Sequence, residues 1–187
     1  MGSNSLILSL SELVRRPFGG AAVGSDRHSV LFVCMGNICR SPMAHSMALH
    51  RAAPGLRVDS AGTHAAERGE PIDPRAADLL RRRGITARPR ARSRRVVDAD
   101  FERFDLLVAM DLTNRADLLE RCPPEHADKV RLLLDFVPGH EGREIPDPYF
   151  SGPDGFERVF DLCRVGLDGL IARLESSRAA ARSPDVA

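Results

Sequence analysis

The stretch Val30-Leu31-Phe32-Val33-Cys34-Met35-Gly36-Asn37-Ile38-Cys39-Arg40-Ser41-Pro42 decides the fold. Its first four residues are a short apolar run of β-forming types, which reads as a strand buried on both faces. Gly36 and Asn37 punctuate a turn. Ser41-Pro42 reads as a helix start, with Ser at the N-cap and Pro at the first helical position. Met43, Ala44, Met47 and Ala48 then give that helix one apolar face.

Outward from this unit the same alternation recurs. Leu56–Ser60 reads as a second strand closed by Gly62. Asp73-Pro74 opens a helix with Ala76, Ala77, Leu79 and Leu80 inward, and Gly84 ends it. Leu106–Met110 is a third buried strand, followed by a helix near Leu112–Arg121. Val130–Phe136 reads as a fourth strand. A Pro/Gly-rich loop spans Pro138–Gly155, and Phe156, Val159, Phe160, Leu162, Cys163, Leu167, Leu170 and Ile171 recur at helical spacing in a final amphipathic helix. Strands alternating with helices predict an α/β fold: a single domain with a four-stranded parallel sheet and helices on both faces. A ligand in such a fold sits outside the carboxyl ends of the strands. Residues 1–28, with a short helix at Leu6–Arg16, read as a flexible N-terminal extension, 29–175 as the domain, and 176–187 as a frayed tail.

Composition narrows the class of protein. The 187 residues are 43% hydrophobic and 28% charged, as in ordinary globular domains. With 27 Lys+Arg against 26 Asp+Glu the net charge is +1, which gives no global electrostatic case for nucleic acid or membrane. No apolar run approaches the roughly 18–20 residues of a membrane span. Four cysteines, at 34, 39, 122 and 163, are too sparse for a secreted disulfide scaffold, and none has structural zinc spacing. The N-terminus lacks a signal-peptide pattern. A cytoplasmic protein without metal or cofactor is the expectation, and the oligomeric state is unknown.

The loop from Cys34 to Ser41 carries the chemistry. A strand-to-helix loop directs backbone N–H groups at one point, which suits an anion. Gly36 permits conformations other residues resist, and Asn37 tolerates the left-handed region. Arg40 offers a fork of donors for two phosphate oxygens. The same groups favour a thiolate, whose pKa in such places falls from about 8.5 to about 3.5–7.5. That arrangement fits phosphoryl transfer to sulfur. A buried core cysteine beside an ordinary helix start is the plainer alternative.

The run 30–44, Val-Leu-Phe-Val-Cys-Met-Gly-Asn-Ile-Cys-Arg-Ser-Pro-Met-Ala, resembles the signature of the low molecular weight protein tyrosine phosphatases, bacterial branch. The resemblance continues through Val58–Thr63, Pro71–Ala76, Phe104–Asp111 with Asn114, and Ile145–Tyr149, and covers about residues 29–174. It implies a phosphotyrosine-protein phosphatase acting through a phosphocysteine. Cys34 matches the nucleophile, Arg40 the phosphate binder and Asp147 the general acid. Met35, Gly36, Asn37, Ile38, Cys39 and Ser41 match the phosphate-binding loop. Asn37, Ser41 and Ser60 match a supporting hydrogen-bond network, while Ser41 also suits a plain N-cap. Tyr149 and Phe150 match the pocket wall, although Tyr149 also suits plain packing. Cys39 matches a redox partner of the nucleophile, or else a small buried filler; Cys122 and Cys163 read as structural. The implied partners are phosphotyrosine proteins and a bacterial tyrosine kinase.

Two positions depart from the family pattern. The network histidine before Ala91-Arg92 is replaced, with Pro89 at its place, and the aromatic wall after Ser-Ala-Gly-Thr falls on Ala66. The basic run Arg75–Arg95 reads either as a solvated face or as a patch for acidic substrates or polyphosphates. Two other functions compete with the phosphatase. An arsenate reductase would need further relay cysteines, and a non-catalytic phosphate-binding module would not need the Cys34/Arg40/Asp147 set. Within the family, phosphoarginine enzymes have a small Thr where Ile38 stands, and the bulkier Ile38 favours a flat aryl phosphate.

Overall fold

The computed structural model describes residues 28–51, 53–87 and 92–182. Residues 1–27 of the expected N-terminal extension, its short helix and Pro89 lie outside the described residues; His28, also assigned to that extension, is instead the first buried residue of β1. Among the described residues five α-helices and four strands follow in the order β1 (His28–Cys34), α1 (Arg40–Arg51), β2 (Leu56–Gly62), α2 (Pro74–Arg82), α3 (Ala99–Arg103), β3 (Leu106–Ala109), α4 (Leu112–Arg121), β4 (Val130–Leu132) and α5 (Pro153–Arg182). The sheet is all parallel in the order β2-β1-β3-β4. Cys34 lies opposite Gly62, and Val33 opposite both Ala61 and Ala109, so three strand ends meet at one edge.

Every residue of β1 is buried, as its unbroken apolar run predicts. Alternate side chains serve opposite layers. Val30, Phe32, Leu106 and Val108 pack with Met43, Leu79, Phe156, Val159 and Leu167 of α1, α2 and α5. Leu31, Val33, Leu107 and Ala109 pack with Val96, Phe101, Phe104 and Leu118 on the α3–α4 side. Helices therefore cover both faces. Among the described residues no helix is long and apolar enough to cross a membrane.

The structure differs from the expectations in particular places. α1 begins at Arg40, not after Ser41: the Cys39 carbonyl accepts from Met43 N–H at 3.1 Å, and Ser41 sits inside the first turn with its hydroxyl turned to the loop. Pro42 is tolerated there because first-turn N–H groups have no intrahelical partner. β4 stops at Leu132 rather than Phe136. Asp135 takes the Leu132 N–H at 2.9 Å and the Gly142 N–H at 2.8 Å, which curls Leu133–Phe136 into a 3-10 turn. α3 was not legible in the sequence; it is held by Asp100, which accepts from Val97 N–H and Arg94. α5 runs on to Arg182, past the expected boundary at 175. Its end is rich in Ala and Arg, strong helix formers; Leu174 is buried, and Arg178 donates to the Pro54 carbonyl. Ala77 is half-buried, whereas Ala76, Leu79 and Leu80 are fully inward as expected.

Candidate active site

Cys34 is the last residue of β1 and is 3% exposed. Its Sγ lies 3.1 Å from Ser41 Oγ. Ser41 Oγ also accepts from Asn37 Nδ2 at 2.9 Å and donates to the Ala61 carbonyl at 3.2 Å. Asn37 adopts φ +56°, the left-handed region its side chain tolerates, and its Oδ1 accepts the Arg94 N–H at 3.0 Å. A lattice of side chains thus fixes the loop from one side.

The main chain fixes it from the other. Thr63 N–H donates to the Cys34 carbonyl and His64 N–H to Met35, each at 2.9 Å, and Asp73 N–H donates to Ile38 at 2.8 Å. Gly62 allows this approach, since a Cβ there would lie 2.5 Å from the Met35 oxygen. The loop's carbonyls are therefore engaged outward. Among the described residues, no main-chain acceptor takes the N–H groups of residues 36–40.

Arg40 is a charged side chain only 2% exposed. Nη1 donates to Asp111 Oδ2 at 2.5 Å and to the Ile145 carbonyl at 3.1 Å; Nη2 donates to Asp147 Oδ2 at 2.5 Å. Nε is buried without a partner. Burial opposes the guanidinium charge, but Cys34, Asp111 and Asp147 outweigh it and hold its pKa above the ordinary value. Asp111 caps α4, accepting Asn114 N–H at 2.6 Å. Asp147 lies between Pro146 and Pro148, accepts Tyr149 N–H at 3.0 Å and is 43% exposed. Ile145 N–H binds the Met110 carbonyl at 2.7 Å, which anchors the Asp147 loop beside β3.

The structure thus brings Cys34, Arg40, Ser41, Asn37 and Asp147 together. Other expected members sit differently. Ser60 Oγ pairs with His45 Nδ1 at 3.2 Å, in a cavity of about 20 Å³ that Asn37 and Ser93 also line. Tyr149 is half exposed and Phe150 is 98% exposed; they meet edge-to-face at 5.0 Å. The guanidinium of Arg75 lies over Tyr149 at 5.6 Å and over Phe156 at 4.5 Å, which ties that segment to α2. Met35 is exposed at the rim. Ala66 lines a different groove, with Gly69 and Arg92. Cys39 is buried, with Sγ 3.7 Å from Asp73 Oδ2; burial first, then Asp73 and Cys34, push its thiol pKa far up. Cys163 is fully buried and pushed up to about 12, close enough to feel Arg40 and Cys34. Cys122 is half-buried, its Sγ 3.4 Å from the Pro123 carbonyl.

His45, Asp73 and Arg94 are the site neighbours that sequence reasoning did not single out for the site. Asp111 was noted only as the end of a matching stretch, Phe104–Asp111. It follows directly after β3, so the rule that ligands gather at parallel strand ends would have placed it beside Cys34.

A parallel sheet that delivers a cysteine and a buried arginine to one strand-to-helix loop is the arrangement expected of a phosphate-handling α/β protein. The family model for low molecular weight phosphotyrosine protein phosphatases matches residues 29–180, and the chain belongs to that family. It is similar to the low molecular weight protein-tyrosine-phosphatase YfkJ of Bacillus subtilis, 35% identical over 80% of this chain and 97% of the relative. Among solved structures it resembles a protein tyrosine phosphatase from Entamoeba histolytica, with TM-score 0.73 and 38% identity over 80% of this chain and 97% of that one. It also resembles the YwlE arginine phosphatase from Geobacillus stearothermophilus, with TM-score 0.74 and 32% identity over 82% and 96%.

Proposed function

We propose that this protein is a phosphotyrosine-protein phosphatase working through a phosphocysteine on Cys34. The observation that supports this most is the meeting of Cys34 Sγ, the unengaged N–H groups of 36–40 and the buried Arg40 fork at one strand end. In the first step the Cys34 thiolate attacks phosphorus and the aryl oxygen leaves, taking its proton from Asp147. Loop N–H groups and Arg40 hold the three equatorial oxygens as charge spreads over them. Ser41 Oγ turns its proton to the sulfur whenever the thiolate is free. In the second step water attacks the phosphocysteine, Asp147 takes the water's proton, the S–P bond breaks and phosphate departs.

The proposed substrates are phosphotyrosine proteins, with a bacterial tyrosine kinase as their source and the cytoplasm as the compartment. Half-buried Ile38 presents an apolar side chain in the loop, which favours a flat aryl phosphate over phosphoarginine. The test is a panel of phosphotyrosine, phosphoserine and phosphoarginine peptides, with rapid-quench mass spectrometry of the Cys34 peptide. Preferred cleavage of phosphotyrosine with a transient phosphate on Cys34 is expected. Turnover by Cys34→Ser, or no phosphopeptide at any time, overturns the mechanism.

A further inference from the structure

The basic run from Arg75 to Arg95 divides in the fold. Its first half is matched by acids. Arg75 reaches Asp73 at 2.8 Å, Arg81 and Arg82 reach Asp78 at 2.6 and 3.2 Å, and Arg82 and Arg83 reach Glu157 at 3.0 and 2.6 Å. That half is a solvated, ion-paired face.

The second half is built differently. Arg92, Arg94 and Arg95 line a groove of about 620 Å³ together with Arg57, Arg68 and Arg103. Three acids share it, Asp59, Glu67 and Asp100, and two of them are committed to Arg94, at 3.1 and 2.8 Å. Arg57 donates to the Arg103 carbonyl at 2.7 Å and Arg95 to the Ala65 carbonyl at 2.8 Å, neutral acceptors that leave both charges uncompensated. Among the described residues Arg57, Arg92, Arg95 and Arg103 make no ion pair, and Arg68 reaches only Glu70, at 4.0 Å. Arg57 is also laid over the Phe104 ring at 4.8 Å, which fixes it to the groove wall.

Like charges gathered in a concavity repel one another and concentrate anions. Guanidinium forks match phosphate oxygens two at a time. A groove of this size falls within the range of about 300–1,000 Å³ for small-ligand sites. Several separated forks fit a chain of phosphates better than a single one. The groove is also joined to the Cys34 loop. Arg94 N–H holds Asn37 Oδ1 at 3.0 Å, the Arg94 carbonyl accepts Gly62 N–H at 2.8 Å, and Val96 N–H binds the Gly62 carbonyl at 3.0 Å. Asn37 in turn holds Ser41. None of residues 34–41 lines the groove, so it is a second site.

We infer that this arginine groove is an effector site for a condensed-phosphate anion, free or carried by a nucleotide, whose binding changes turnover at Cys34 through the Arg92–Val96 segment. The effect on turnover rests on the phosphatase reading; the binding does not. The experiment titrates tripolyphosphate, and in parallel ATP, into the full chain by calorimetry with vanadate saturating the Cys34 site. One remaining binding site is expected, weakened about tenfold or more in R92Q/R103Q, which removes two exposed forks and leaves basal turnover unchanged. At saturating p-nitrophenyl phosphate, kcat should shift at least about twofold on addition of tripolyphosphate to wild type and not to the variant; simple competition at Cys34 would raise KM alone. ATP binding as tightly as tripolyphosphate supports the site with a nucleotide as its source, and ATP binding tenfold more weakly supports it with free condensed phosphate. No binding beside vanadate, equal binding by the variant, or an unchanged kcat overturns the inference. Failure of the phosphatase reading would show instead as no turnover of any aryl phosphate, with the calorimetry still readable.

Discussion

Asp147→Asn separates two roles that the proposed mechanism gives to one carboxylate, holding Arg40 and protonating the leaving oxygen. At rest, Asp147 Oδ2 lies 2.5 Å from Arg40 Nη2, and that guanidinium is 2% exposed while Asp147 is 43% exposed. Two unit charges about 4 Å apart at an effective dielectric of about 20 attract by roughly 4 kcal/mol. Exposure of one partner reduces the net value to about 1 kcal/mol. A phosphate dianion must displace that attraction to reach Arg40. With asparagine at 147 the competition disappears, so inorganic phosphate and vanadate should bind about fivefold more tightly, the factor for about 1 kcal/mol. Catalysis should move the opposite way. General-acid help is worth about 10²–10⁴-fold, and it matters most where the leaving oxygen is most basic. A tyrosine phenol has a pKa near 10, whereas nitrophenolate leaves with less help. Burst-phase kinetics isolate the phosphorylation step, because the later hydrolysis is common to both substrates. The variant should lose more rate on phosphotyrosine than on p-nitrophenyl phosphate while its phosphate inhibition constant falls. Equal slowing for both leaving groups would mean that Asp147 positions its loop, and would move the search for the acid to Asp111. Unchanged phosphate affinity would refute the competition for Arg40.

Three further outcomes can be checked. After mild peroxide, wild type should recover in dithiothreitol and Cys39→Ser should not, because only the former can capture oxidised Cys34 as a disulfide; equal recovery, followed by mass spectrometry, removes Cys39 from that role. Gly169→Ala should lower Tm by a few degrees in a thermal melt, since the added Cβ would lie 2.3 Å from the Phe136 oxygen and overpacking costs about 1–3 kcal/mol against a gain of about 1 kcal/mol in helix propensity; an unchanged Tm shows that the α5 contact yields. The Asp73 carboxyl is held below its ordinary value of 3.8 chiefly by the Arg75 hydrogen bond, so its stabilisation is present above that value and is lost as pH falls through the lowered one; the Tm gap between wild type and Asp73→Asn should close below about pH 4, and a gap that widens there reverses the sign.

Much of the fold was legible because its signals are local. β1, the Gly36-Asn37 turn and the Asp73 cap each lie within a few residues of the feature they specify. The proximity of Cys34 and Arg40 was legible for the same reason, since one loop holds both. Contacts set by distant chain were not. Nothing near Arg40 indicates that Asp111, 71 residues on, grips one end of its fork. The end of β4 depends on Asp135 capturing the Leu132 N–H, a competition that strand propensity does not register. Ser41 carried a strong N-cap signal, yet tertiary structure spends its hydroxyl on Cys34 and Asn37 and shifts the helix start. The arginine run looked uniform because sequence displays charges without their partners; Asp73, Asp78 and Glu157 pair with Arg75, Arg81, Arg82 and Arg83, whereas Arg92, Arg94 and Arg95 gather around a groove.

The two carboxylates on Arg40 are not equivalent, and the difference suits a reaction cycle. A buried guanidinium without a counter-charge is costly. Asp111 is the fixed partner: it caps α4 and is 18% exposed. Asp147 is the releasable one, with a single backbone contact, to Tyr149, and 43% of its side chain in solvent. Under the proposed mechanism, an entering phosphate dianion would supply the negative charge that Asp147 had supplied, so Arg40 would stay compensated while Asp147 turned to the leaving oxygen. Pro146 and Pro148 restrict the backbone through which that turn is made, and the Ile145 bond to Met110 keeps its base fixed. Under that mechanism, loss of Asp111 would leave Asp147 as the one carboxylate on Arg40, held to the arginine instead of free to protonate the substrate. On this reading the division between a fixed and a releasable carboxylate lets one arginine stay buried, charged and available to phosphate.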